Sequence, residues 1–200
     1  MNFELIYTSA PRGIKVGTRG YCTVAFTEGM PSKYVQLAES LSGYQKPDGM
    51  EIAPVAYSHY RFVVGGQRLS ALSRVTTAAY ADYTGRRPTI AHHVLLEHAS
   101  CSPDGNPAGI MADPAMFVTE WHDEPRLIRK PKQIPAPPPA SFDARQWEQA
   151  CGDAGWAGAL AQSAYDTTPK PVYIIFNPER LDPLPLLAES LNLLPPDMRW

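Results

Sequence analysis

Charge is scarce in this chain. Only 19% of its residues are Asp, Glu, Lys or Arg, and the net charge is −2. That balance lacks the basic surplus of a nucleic-acid binder, so no nucleic-acid partner is expected. Cysteine is scarcer still, with three residues in 200, Cys22, Cys101 and Cys151. They are odd in number, far apart and form no CxxC pair, which argues against a disulfide framework. Reduced thiols point to the cytoplasm. No apolar run approaches the ~18 residues a membrane span needs. The opening Met1-Asn2-Phe3-Glu4-Leu5 has no basic lead or cleavage site of a secretory signal. The signatures GxSxG and HExxH are missing, as is a paired-carboxylate motif. No catalytic residue, metal set or cofactor is therefore expected.

What is present supports a folded core. Apolar residues make up 44% of the chain, and a chain of this length buries about 70% of its unfolded surface. Proline stands out at 21 residues, about twice the usual ~5% share. Phe3–Tyr7 reads as a first strand. Ala10–Gly20 reads as a loop, because Pro11, Gly13, Gly17 and Gly20 punctuate it. Tyr21–Thr27 is rich in β-branched and aromatic residues and reads as a second strand. A helix is expected to open at Gly29-Met30-Pro31, with Pro31 near its first helical position. Met30, Tyr34, Leu37, Ala38 and Leu41 share one face of it. Gly43 is expected to close it in the left-handed region, with Tyr44 packing back on Ala38.

Residues 60–64 and 67–75 flank Gly65-Gly66, a pair that supplies the two positive φ values of a two-residue hairpin turn. In the second arm Leu69, Ala71, Ser73 and Val75 form an apolar face; Arg68, Ser70, Leu72 and Arg74 form a mixed one. Residues 76–88 read as a long loop, or a short helix with a turn at Asp82–Arg86. Ile90–Glu97 resumes as a strand, and a turn-rich stretch and a short helix near Asp113–Phe117 follow.

Six prolines between 125 and 140 describe an extended connector, which divides a hairpin-rich part, 1–124, from an α/β-like part, 141–200, of the same domain. In the second part, Asp143 with Gln146 resembles a capping box, and Phe142 is placed to staple onto Trp147. A helix from Trp156 to Tyr165 follows a break at Gly152–Gly155. Val172–Phe176 reads as a strand buried on both faces, and a helix runs from about Pro183 to Leu194. Trp200 is expected to enter another strand. The 200 residues thus read as the N-terminal piece of a longer chain, and the C-terminal continuation is an expected partner. The fold class expected is α+β (mixed α/β), with antiparallel hairpins in front and helix–strand–helix behind.

Three constellations carry possible chemistry. The loop Arg12–Gly20 has the glycines and cations of a phosphate cradle. It lacks GxxxxGK[ST] spacing and leads into a strand, so a plain hairpin loop is the simpler reading. His92 and His93 are neighbours on a strand and point to opposite faces, so they cannot both hold one metal. One packed and one polar-face histidine is the expectation. Cys22 with His92 or His93 would make a Cys–His hydrolase, the enzymatic alternative; Cys22 lies inside a strand, where cysteine is usually a small buried hydrophobe. Charge is uneven, with ten Lys/Arg against seven Asp/Glu in residues 1–100, and eight against thirteen in 101–200.

Leu5–Gly13 followed by Gly17–Ala25, then Leu41–Tyr44, Leu72–Val75, Asp82–Arg86 and Ala91–Val94, resemble the N-terminal domain of the bacterial GTPase-associated protein family. Gly152–Gly158 and Val172–Phe176 extend the likeness. The resemblance implies a non-catalytic adaptor at the front of a multidomain protein of a conflict or defence system, encoded beside a small GTPase. The residues read as the binding surface are Arg12, Arg19, Tyr83, Thr84, Gly85 and Arg86, with His92 and His93 as further candidates. The surface requires its two loops to meet at one end of the sheet.

Overall fold

A computed structural model describes residues 1–43, 55–102, 104–136, 142–166, 168, 170–178 and 180–200. It divides into two compact units: residues 1–100 with 117–133, and residues 101–116 with 134–200.

Among the described residues the first unit is a six-stranded mixed sheet with one α-helix. Its strands are β1 (Asn2–Ala10), β2 (Gly20–Thr27), β3 (Ala56–Val64), β4 (Gln67–Thr77), β5 (Thr89–Glu97) and β6 (Arg126–Ile128). Their order is β3-β4-β5-β1-β2-β6. All pairs are antiparallel except β2 with β6, where Ala25 sits beside Arg126 and Thr27 beside Ile128. The Gly65-Gly66 hairpin forms as read, with Val64 opposite Gln67 and φ of 60° and 82° at the two glycines.

Burial on both faces places β1 and β5 at the centre. On one face Phe3, Leu5, Leu69, Ala71 and Leu95 pack on Met30, Tyr34 and Ala38 of helix α1 (Ser32–Ser40). The Tyr34 ring meets Phe3 edge-on at 5.5 Å. Helical spacing thus identified the right stripe. On the other face Ile6, Val24, Ala25 and Ile90 are covered by Val118, Trp121 and Ile128. The mixed face of β4 is also buried at Ser70 and Leu72.

Pro31 stands near the helix start as expected, as the N-cap of α1. Several local expectations are corrected. Gly43 has no positive φ; the helix ends through Leu41 and Ser42 amides donating to Ala38 and Glu39. The Tyr44 contact lies outside the described residues. Residues 76–88 hold no helix. Arg126–Ile128, inside the proline segment, forms a strand because the edge beside β2 needs only three residues between Pro125 and Pro131, and prolines suit an edge.

The second unit is helical: α2 (Pro107–Met111), α3 (Arg145–Cys151), α4 (Gly155–Ser163) and α5 (Pro183–Asn192). The short helix lies before Asp113 because Asn106 caps it, its side chain accepting from the Gly109 amide at 2.8 Å. The Asp143/Gln146 capping box does not form. Glu189 of α5 instead accepts from the Gln146 and Trp147 amides, and Phe142 is 72% exposed. Trp147 is the anchor: its indole donates to the Leu186 carbonyl at 2.8 Å, and it packs with Ala157 and Leu186. Gly152, at φ 76°, ends α3.

The clearest correction is Val172–Phe176, which forms no strand; Tyr173 is 84% and Ile175 98% exposed. Strand preference is largely the preference for a pleated surface to pack on, and all six strands described belong to the first unit. Trp200 likewise enters no strand. It is buried after a 3₁₀ turn at Pro196–Met198, its indole donating to the Ser102 carbonyl at 2.8 Å. The α+β class nevertheless stands, as a hairpin-rich sheet followed by helices.

The exposure of Ile175 makes a quantitative expectation. Ile175→Ser should change unfolding stability by no more than about 0.5 kcal/mol, the usual range for surface substitutions. An aliphatic side chain in a doubly buried strand would lose roughly 2–5 kcal/mol on truncation. Urea denaturation distinguishes the two, and a loss in the larger range would contradict the exposed placement.

Candidate functional site

The Arg12–Gly20 loop and the Asp82–Arg86 turn meet at one end of the sheet. Asp82 organises the junction. One carboxylate oxygen accepts from the Ser9 hydroxyl at 2.5 Å. The other accepts from the Thr84 hydroxyl at 2.6 Å and from the Thr84 and Arg86 amides at 2.8 and 3.3 Å. Asp82 N–H donates to the Arg86 carbonyl, and Gly85, at φ 79°, closes the turn. The Ser9 and Thr84 bonds hold the Asp82 carboxyl well below its usual range, at about 2.

A cleft of about 540 Å³ opens beside this junction, lined among others by Ser9, Arg12, Asp82, Tyr83, Trp121 and Glu124. Arg12 and Tyr83 therefore share one wall system. Arg19, Thr84, Gly85 and Arg86 are on the same two loops, and both arginines are exposed. The cleft is not purely basic. Arg12 is forked onto Glu124 at 2.7 and 3.1 Å, and Arg126 pairs with Asp123 at 2.6 Å while lying over the Trp121 ring at 5.1 Å. Exposed pairs of this kind contribute little to stability, so Arg12 is available to exchange partners.

The loop's own amides are already engaged. Gly13 N–H donates to the Thr18 carbonyl, Ile14 to Thr23, and Thr18 to Lys15. A β-carbon at Gly13 would stand 2.4 Å from the Thr18 hydroxyl, so glycine there permits the fold of the loop itself. A phosphate cradle needs free convergent amides, and these three face carbonyls.

His92 and His93 do not reach the cleft. As β geometry requires, they face opposite sides of the sheet, but both are fully buried; the expected polar-face histidine is instead covered. His93 lies between Ser42, 2.9 Å from Nε2, and Ser73, 2.8 Å from Nδ1. Burial pushes its imidazole down to about 3. His92 Nδ1 accepts from the Val118 amide at 2.9 Å, so its proton sits on Nε2 and is donated to Glu4 at 3.1 Å. Burial lowers His92, and Glu4 partly opposes this. Burial alone would raise Glu4, but the bonds from His92 and the Lys132 amide outweigh it and hold the carboxyl low.

The Cys–His pair does not assemble. Both nitrogens of each imidazole are bonded elsewhere, and the Cys22 thiol donates to the Gly20 carbonyl at 3.2 Å. Burial pushes that thiol up, away from the thiolate a nucleophile needs. Among the described residues no group of three or more His, Cys, Asp or Glu is placed to hold a metal ion, and no helix is long and apolar enough to cross a membrane. The sequence reading missed Glu4 and Asp82. Glu4 carries a signal, being the one charge in the apolar run Phe3–Tyr7; so does Asp82, two residues before a Thr-Gly pair, the spacing of an Asx turn.

Residues 1–137 match the family model described as GTPase-associated protein 1, N-terminal domain type 2, and the chain belongs to that family. The match spans all of the first unit and stops before the motifs at 152–158 and 172–176. No curated protein and no solved structure matches.

One buried and one half-buried imidazole make stability fall with acid. His59, lowered to about 4 by burial and by Arg61, and His93, lowered to about 3, both titrate below the ordinary 6.5. The unfolded chain therefore takes up these protons first. Stability is fullest above about pH 6.5 and declines as pH falls towards 4, by up to about 1.4 kcal/mol per pH unit for each group. Urea midpoints at pH 7.5, 6 and 5 should decrease in that order; a flat or rising series would contradict it. The thiols should differ in the same native state. A maleimide should label exposed Cys151 and spare buried Cys22, and rapid labelling of Cys22 would revive it as a nucleophile.

Proposed function

We propose that this GTPase-associated domain is a non-catalytic adaptor, which presents the surface formed by the Arg12–Gly20 loop and the Asp82–Arg86 turn to a protein partner. The partner proposed is the GTPase encoded beside it, in a cytoplasmic conflict or defence system. One observation carries the reading: Asp82 ties the turn to Ser9, so that Arg12 and Tyr83 line one cleft with Arg19 and Arg86 exposed on the same loops. Arg and Tyr are the residue types that dominate interface energetics. GTPases carry acidic and phosphate-bearing surfaces, which such a patch complements. The Arg12–Glu124 pair adds to the fit, because its guanidinium is held extended by an exposed carboxylate and needs no costly rearrangement to bond a new acceptor. His92 and His93 belong to the support of the surface and not to the surface.

The test is retention of the neighbouring GTPase by the full-length protein, wild type against the Arg12→Ala/Arg86→Ala double variant. Interface arginines commonly cost more than about 1 kcal/mol on truncation, so the double variant should bind at least about tenfold more weakly. Undiminished binding removes this surface from the account. Failure of the wild type to bind removes the GTPase as partner.

A further inference from the structure

One wall of the cleft, Trp121–Pro125, lies on the segment between Phe117 and Gln133 that covers the second face of the sheet. Among the described residues, no backbone hydrogen bond joins 119–125 to the sheet. Directly after Pro125 the chain is held by β6 on β2, and the residues before the wall and after β6 return to one place. Val118 N–H donates to His92 Nδ1 at 2.9 Å. Lys132 N–H donates to Glu4 Oε1. His92 and Glu4 then bond each other, Nε2 to Oε2, at 3.1 Å. Sheet register makes this meeting unavoidable: His92 is opposite Ile6, and Glu4 is two residues from Ile6 on the same face.

We infer that Glu4 and His92 are a positioning pair, a single latch on Val118 and Lys132 that works with the β2–β6 ladder to set where the cleft wall stands. The wall's use in binding rests on the adaptor reading; the latch does not. The bond polarity leaves one workable arrangement. A carboxylate only accepts, so it can take the Lys132 proton on one oxygen and the imidazole Nε2 proton on the other. That choice leaves the Nδ1 lone pair for Val118. Phe117 meets the His92 ring edge-on at 5.6 Å and limits its rotation. Arg74, opposite His92 on β4, donates instead to the Tyr57 hydroxyl.

Glu4→Gln breaks this polarity with almost no change of shape. A carboxamide has one acceptor and one donor end. If its NH₂ faces His92, the imidazole must move its proton to Nδ1 and the Val118 acceptor is lost. If its NH₂ faces Lys132, that amide is lost instead. Amide hydrogen exchange on the 200-residue chain should therefore show Val118 or Lys132 exchanging at least about tenfold faster in Glu4→Gln, the expected size when a buried bond of roughly 1.4 kcal/mol is removed. Amides of β4 and of β5 should stay within about threefold of wild type. Unchanged exchange at both flanks overturns the inference. So does a uniform rise across the sheet, which would make Glu4 general support. If Glu4→Gln fails to fold, the wild type decides: a through-hydrogen-bond ¹⁵N–¹⁵N coupling between Val118 and His92 Nδ1 is expected, and its absence overturns the latch. Both measurements use the free chain, so a failed GTPase pull-down leaves their result standing.

Discussion

Two adjacent imidazoles at the centre of a sheet impose the constraint that most of this domain answers to. Alternation along a strand sends His92 and His93 to opposite faces, so each face must be closed over a polar ring and must supply partners for two nitrogens. An unmet buried polar group costs roughly 1–3 kcal/mol. On one side the closure is α1 together with Ser42 beyond its end and Ser73 on β4. On the other it is the 117–133 segment with Glu4. The two solutions use different partners. The Ser42 hydroxyl donates to the Ala38 carbonyl, so it accepts from His93 Nε2 and leaves Nδ1 to accept from Ser73. A carboxylate on one nitrogen and a backbone amide on the other permit one tautomer only, so the His92 site has a direction.

How far apart the partners lie in the chain decides what could and could not be read from it. The Gly65-Gly66 hairpin, the α1 stripe and the opposed histidines follow from periods of two and 3.6 and from the φ values that glycine allows. These are properties of neighbouring residues. The His92 partners are not: Glu4 and Val118 are distant in sequence, and β1 reaches β5 only through the strand order. The lone carboxylate in Phe3–Tyr7 was a local sign that something polar waits in the core, but it did not name the partner. The same holds for Glu189, which takes over the N-terminus of α3 from the expected Asp143/Gln146 box. A tertiary carboxylate displaced a local cap.

Val172–Phe176 failed for the complementary reason. Its composition satisfies every local condition for a buried strand, yet strands are stabilised in pairs and by the surface beneath them. The described strands are all committed to the first unit, where β6 takes the edge beside β2 with only three residues. The cleft was legible to an intermediate degree. Its arginines, tyrosine and turn glycine were visible, and the expectation that their loops meet had a physical carrier, Asp82, that was read only as part of a turn. The acids that neutralise Arg12 and Arg126 are Glu124 and Asp123, the last residues before the proline-rich connector, and the sequence reading gave them no role.

This neutralisation changes the character of the surface. A bare arginine patch attracts any polyanion, whereas Arg12 against Glu124 and Arg126 against Asp123 attract only a partner able to exchange for the existing carboxylate. The cost of that exchange is small, because both pairs are exposed and already weakened by water. The selectivity it brings depends on where the carboxylates stand, and Asp123 and Glu124 stand on the wall whose flanks end at Glu4 and His92. A buried hydrogen-bond polarity in the sheet is thereby coupled to the spacing of charges at the cleft: shift the proton of His92 from one nitrogen to the other, and the segment carrying both acids loses an anchor.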